Sequence, residues 1–327
     1  MKILYAIQGT GNGHIARAID IVPHLEQHGT VDLFVSGAQA TISLPFPVKY
    51  KSKGLSFFMG GKGGINFLRT FKENSSRQVI KEINSFPVEK YDLIVNDFEP
   101  ISAWAARQKD VPLVALGHQA AFLSDKTPRP HPSDPFGEWI LHRYAPAKKY
   151  VGFHFKSYDK NIYTPVIRSA VRDARPGNKG HCTVYLPAYD DKKLVKWFLK
   201  IPHTKWHIFS RTCKTPFHVG DVSVYPVSNE GFVTSLLQAD SIICGAGFET
   251  PAEVLHLNKK LLVIPMRQQY EQKCNALALR KLGVARMKRL RKSKIHKIEQ
   301  WLEESKPLDI WFPDTTAEAV ARAVHKF

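Results

Sequence analysis

No run of about eighteen apolar residues occurs in this sequence, so nothing in it reads as a bilayer-spanning helix. Cysteine is scarce. The four present, Cys182, Cys213, Cys244 and Cys274, lie too far apart for a small disulfide framework and lack zinc-site spacing. A reduced, cytoplasmic setting is therefore expected. Low-complexity stretches and short-period repeats are also missing. Acid is in short supply: 29 Asp and Glu stand against 47 Lys and Arg, a net charge of +18. Such a surface suits an anionic membrane or a phosphorylated substrate. Nucleic acid fits less well, because no recognised reading module is visible.

A length of 327 residues exceeds one ordinary core and suits two domains. Hydrophobic residues make up 43% and charged residues 23%, as in ordinary globular proteins. Residues 2–7 form an apolar run that stops at Gln8 and leads straight into a glycine loop. That pattern reads as a first buried strand, not a signal peptide. Strands are expected at 31–36, 91–96, 113–116 and 151–155, with helices at 15–28 and near 101–109. Residues 156–179 mix proline, glycine and charge and read as a linker. The pattern then restarts, with strands at 182–186, 206–210, 241–244 and 260–264, a helix at 190–199 and a closing helix at 315–327. Alternating strands and helices imply parallel sheets covered on both faces. The chain divides at residue 160 on this reading, and a ligand cleft is expected between the halves.

Three segments carry chemistry. The first is Gly9-Thr10-Gly11-Asn12-Gly13-His14, after a strand and opening a helix. Glycines admit an anion close to the backbone, and the helix N-terminus offers N–H groups and partial positive charge. A dinucleotide fingerprint would need glycine where His14 stands, although Asp32 ends the second strand as a ribose-binding acid would. A dehydrogenase and a packing turn thus stay open beside a reactive role for His14, the usual general base at neutral pH. The second segment, residues 244–253, repeats the strand, glycine turn and helix, with Glu253 one turn in. The third, residues 265–275, ends a strand at Pro265 and continues in amide and acid side chains of the kind that read sugar hydroxyls. A helix dipole alone would account for Glu253, and a solvated helix start for the third segment.

Together, Gly-x-Gly-x-Gly-His, the Gly-x-x-x-x-x-Glu turn and Gln-x-Glu-Gln-x-x-Asn-Ala resemble glycosyltransferase family 28. Residues 95–100 with 116–119 look like another branch of the same transferases. The resemblance implies an α/β protein of the GT-B type, with two Rossmann-like parallel-sheet domains facing a cleft. Residues 1–160 would be the acceptor side and 161–327 the nucleotide-sugar donor side. It implies that Glu253 holds the donor ribose, and that Glu271 and Gln272, with Gln269, meet the donor sugar. Gly245, Gly247, Phe248, Glu249 and Thr250 would face the diphosphate. Gly11, Gly13 and His14 would lie near the transferred phosphate and the acceptor. Phe232 would wall the uracil pocket, and Ser210 and Arg211 would belong to a donor-contacting loop. Where the family has Gly-Gly-Ser, this chain has Leu186-Pro187-Ala188-Tyr189.

The resemblance implies an inverting displacement from a nucleotide sugar, most naturally a UDP-sugar, with no cofactor and no metal. It does not name the acceptor, and a lipid-linked one suits the charge. His14 is the first choice of base, with Asp97, Glu99 and His118 in reserve at strand ends. A nucleotide-sugar 2-epimerase and a non-catalytic sugar-nucleotide or polyanion binder are the rivals. Residues 57–68, with aromatics, glycine and lysine, and the basic stretch 280–297 are candidate contacts for an anionic membrane surface, at its inner face and without insertion.

Overall fold

A computed structural model of the chain describes residues 1–37, 44–54 and 76–325. The loop at 57–68 lies outside the described residues. The chain forms two units. One runs up to Arg168 and takes in the tail from Pro313 on; the other is Ser169–Phe312.

The first unit is built on strands β1 (Lys2–Gln8), β2 (Thr30–Ser36), β3 (Val48–Ser52), β4 (Leu93–Asp97), β5 (Leu113–Gly117), β6 (Lys149–Phe153) and β7 (Ile162–Tyr163). Their order is β3-β2-β1-β4-β5-β6-β7, and every neighbouring pair is parallel. β1 is central, so its residues from Ile3 to Gln8 are all buried, which explains a continuous apolar run without alternation. Helix α1 (Asn12–Glu26) buries Ile15, Ala18, Ile21, Val22 and Leu25 at helical spacing. α2 (Ser76–Ser85), α3 (Pro100–Gln108) and α4 (Pro135–Arg143) follow. Because the strands are parallel, the loops after β1, β4 and β5 leave from the same edge of the sheet, and that edge gathers the side chains of interest.

The second unit repeats the plan with β8 (His181–Tyr185), α5 (Asp191–Phe198), β9 (Lys205–Ser210), β10 (Phe217–Val219), β11 (Val222–Pro226), α6 (Asn229–Gln238), β12 (Ser241–Cys244), α7 (Glu249–His256), β13 (Lys260–Val263), α8 (Tyr270–Lys281), β14 (Ala285–Arg286) and α9 (His296–Glu304). The order is β10-β11-β9-β8-β12-β13-β14; only the β10–β11 hairpin is antiparallel. Trp206, fully buried, stacks on Phe198 with ring centres 4.2 Å apart in its core.

The expected α/β class with two parallel sheets is what the chain has. Two details differ from the sequence reading. Residues 156–179 contain β7, a sheet strand too short to show any periodicity, and a helical turn, Ser169–Arg172. The closing helix α10 (Thr316–His325) buries Ala319, Val320, Ala323 and Val324 within the first unit, and Arg322 donates to Asn161 Oδ1 at 3.1 and 3.3 Å. An apolar stripe on a helix states that a core is covered, not which one. No helix among the described residues is long and apolar enough to cross a membrane.

Candidate active site

In the first unit the glycine loop ends at Gly11, the extended N-cap of α1, and no side chain caps that helix. A Cβ on Gly11 would meet nothing within 4 Å. His14 stands in the first turn, and Arg17 follows one turn later on the same face. Pairing of β1 with β4 sets Asp97 opposite Ile7, beside this helix start. His14 Nδ1 lies 2.9 Å from Asp97 Oδ1. Arg17 Nη2 reaches Oδ1 at 2.7 Å and Oδ2 at 2.8 Å, and is 3.2 Å from His14 Nδ1. Asp97 is 0% and Arg17 1% exposed, whereas the His14 side chain keeps 13%. Burial alone would raise the Asp97 carboxyl, but the charges of Arg17 and then His14 outweigh it and hold it below the ordinary 3.8. Gly117 closes β5 against this carboxylate, and a Cβ there would collide with Asp97 Oδ1.

Glu99 and His118, the other two reserve bases, have different surroundings. Glu99 is the N-cap of α3 and accepts from the Ile101 and Ser102 N–H groups at 2.8 and 2.6 Å. It also accepts from the hydroxyls of Ser102 and Ser36 at 2.6 and 2.7 Å. Burial raises its carboxyl, and these bonds oppose the rise. His118 is 1% exposed, with Nδ1 2.9 Å from the Phe153 carbonyl and its ring packed on Phe122 and His154. Glu99 is thus a satisfied helix cap and His118 a core histidine. Between Asp97 and Glu99, Phe98 adopts φ 58°, strained for an aromatic residue, with its ring 5.0 Å from Tyr144. Tyr144 in turn receives a 2.7 Å hydrogen bond from Gln8. A small hollow has Asp97, Phe98, Gln119, Leu123 and Leu141 in its wall.

In the second unit, the turn after β12 leads into α7, whose N-cap Phe248 offers no side-chain cap. Gly245 and Gly247 leave the backbone bare: a Cβ on Gly247 would meet nothing within 4 Å, and one on Gly245 would meet only Gln272, at 3.5 Å. Glu249 and Thr250 are half-buried in the first turn, and Glu253 is 1% exposed. α8 holds this turn. Asn275, fully buried, donates to the Ala246 carbonyl at 3.2 Å and to Glu271 Oε1 at 3.4 Å. Gln272 accepts the Met266 N–H at 2.9 Å, so its amide shapes the loop after β13. Gln269 caps α8 by position only.

Phe232 belongs to an aromatic group with Phe209, 5.3 Å away edge-on, and Tyr185 at 5.6 Å. Ser210 is buried and donates to Asp191 at 3.1 Å, while Arg211 is exposed. The structure therefore gathers His14 with Asp97 in one unit, and Gly245 with Glu271 and Gln272 in the other. Sequence reasoning did not assign Arg17, although its spacing from His14 on a helix could have flagged it. Asn275 is the asparagine of the Gln-x-Glu-Gln-x-x-Asn-Ala segment, and its tie to the glycine turn is visible only in the fold. Tyr144 left no signal.

The model for glycosyl transferase family 1 matches residues 1–305. No curated protein matches the sequence. Among solved structures, UGT89C1 of Arabidopsis thaliana complexed with UDP-L-rhamnose is similar at 14% identity and TM-score 0.60, covering 99% of this chain and 94% of that one. MurG of Acinetobacter baumannii is similar at 16% identity and TM-score 0.57, with 99% of each chain covered. The glycosyltransferase SnogD from Streptomyces nogalater is similar at 16% identity and TM-score 0.52, again over 99% of both chains. These likenesses show a shared GT-B fold.

Proposed function

Since the chain belongs to glycosyl transferase family 1 and is a glycosyltransferase of the GT-B fold, we propose that it moves a sugar from a UDP-sugar to an acceptor hydroxyl in one inverting, metal-independent displacement. The observation that carries this reading is His14 seated on Asp97 at the head of α1. His14 takes the proton from the acceptor hydroxyl. The acceptor oxygen attacks the anomeric carbon as the bond from that carbon to the phosphate oxygen breaks. The imidazolium that forms is stabilised by Asp97. The departing diphosphate is stabilised by the glycine turn and the positive end of the α7 dipole, and Glu253 holds the ribose. UDP is supported by the second unit's turn and by the complexes of UGT89C1 with UDP and UDP-L-rhamnose.

A screen of nucleotide sugars by thermal shift tests the donor. A ligand at a hundred times its dissociation constant stabilises the fold by about 2.7 kcal/mol. UDP release that needs an acceptor marks a transferase. Release without one marks the 2-epimerase reading, and binding without release marks a binder.

A lipid-linked acceptor met at an anionic membrane face, on the cytoplasmic side, is the finer reading. It is favoured by Lys288, Arg289, Arg291, Lys292, Lys294 and Lys297, all exposed on a stretch pinned by buried Leu290, Ile295 and Ile298. Cosedimentation with anionic vesicles that weakens with salt supports it. Equal sedimentation with neutral vesicles, or none, counts against it.

A further inference from the structure

Three polar atoms form a closed triangle at the head of α1. Asp97 Oδ1 lies 2.7 Å from Arg17 Nη2 and 2.9 Å from His14 Nδ1, and the two nitrogens are 3.2 Å apart. Arg17 is always charged and a donor only. Its single Nη2 spans both carboxylate oxygens, at 2.7 and 2.8 Å, so Asp97 is anionic and acceptor only. Two arrangements of His14 are then conceivable. If Nδ1 lacked a proton, it would accept from Arg17 Nη2 at 3.2 Å, but its lone pair would also face the lone pairs of Oδ1 at 2.9 Å, an unfavourable contact. If Nδ1 carries the proton, it donates to Oδ1, and the lone pair sits on Nε2. The second arrangement gives up the longer Arg17 contact at 3.2 Å and keeps the shorter, charge-assisted bond to the carboxylate at 2.9 Å, so the neutral ring holds its proton on Nδ1.

We infer that Arg17 is a positioning residue for the base: it fixes the Asp97 carboxylate in the orientation that keeps the proton of His14 on Nδ1, and its charge offsets the pull of Asp97 on a second proton. The inference rests on the reading of His14 as the base. Among the described residues, the titratable and charged groups in contact with His14 are Arg17 on its own helix and Asp97 at the end of β4. With Arg17 removed, a buried carboxylate faces the imidazole alone and favours its charged form, which cannot accept a proton. Gly117 belongs to the same device, because only a residue without Cβ lets the carboxylate lie where both nitrogens reach it.

The test needs no acceptor. In protein labelled with ¹⁵N-histidine, His14→Gln identifies the His14 signals among the 14 histidines. At high pH the wild-type ring should show Nδ1–H and a bare Nε2; an Nε2–H ring overturns the inference. In Arg17→Met and Arg17→Gln the titration midpoint of His14 should rise by about 1–3 pH units, the effect of an unopposed neighbouring charge. Arg17→Lys, which keeps the charge, should return most of that shift. A midpoint unchanged in folded Arg17→Met or Arg17→Gln protein also overturns it. Should both variants fail to fold, the wild-type tautomer decides. These readouts are independent of sugar transfer. Failure of the transferase reading would show instead as no nucleotide-sugar binding with the ¹⁵N result intact.

Discussion

The heads of α1 and α7 are built alike, each a buried parallel strand, a glycine turn and a helix without a side-chain cap. They differ in what surrounds the turn. At α1 a buried ion pair and a histidine crowd the first two turns, and the histidine alone reaches solvent. At α7 the turn is bare backbone, steadied from behind by the amide of Asn275. One supersecondary element thus serves two purposes. Charged side chains held rigidly suit proton transfer, and a glycine turn without side chains in the way suits the close approach of an anion.

The sharpest way to break this division is His14→Ala. Turnover should fall by roughly 10²–10⁴-fold, the usual contribution of a general base. A loss of melting temperature with full activity per folded molecule would make His14 a packing residue. Next comes Asp97→Ala, which leaves the buried Arg17 uncompensated and should destabilise the fold by about 3–5 kcal/mol at neutral pH. Because folding lowers the Asp97 carboxyl below 3.8, its contribution is complete above that pH and fades as pH falls through the lower folded value. The gap between wild type and Asp97→Ala in urea titrations should therefore narrow below pH 3.8, and a gap that widens there would contradict the ion pair.

Gly117→Ala is a smaller insult to the same site. The added Cβ collides with Asp97 Oδ1, and overpacking of this kind costs about 1–3 kcal/mol. Chemical denaturation reads it, and an unchanged midpoint would mean that the carboxylate is not confined. The smallest effect belongs to α7. Glu249 puts an acid in its first turn, where a diphosphate would meet like charge. Glu249→Gln should tighten UDP by about 0.3–1 kcal/mol, the worth of one charge at a helix end. Calorimetric titration showing unchanged UDP binding would place the diphosphate elsewhere.

Much of this was legible in the sequence. Long apolar runs gave the central strands, because strands buried on both faces need no alternation. The two glycine turns were legible because a turn joining a strand to a helix has few residues to choose from. What escaped was whatever depends on tertiary company. β7 has two residues, too few to show a period. α10 shows a clear apolar face, yet only the fold decides that it covers the first unit. Glu99 and His118 read as reactive from their places after strands. The fold makes one a cap with four hydrogen-bond donors and the other a core ring. Arg17 stands one helical turn from His14, but its partner, Asp97, is 80 residues away, so no local pattern marks it.

The most direct measurement is the affinity of UDP for His14→Ala and Glu253→Ala by isothermal titration calorimetry, beside the wild type. If the first unit holds the base and the second the nucleotide, His14→Ala should bind UDP as the wild type does. Glu253→Ala should lose about 1–3 kcal/mol, the cost of stranding buried hydrogen-bonding groups. Undiminished binding by Glu253→Ala, with the loss falling on His14→Ala instead, would contradict the division of labour between the two helix heads.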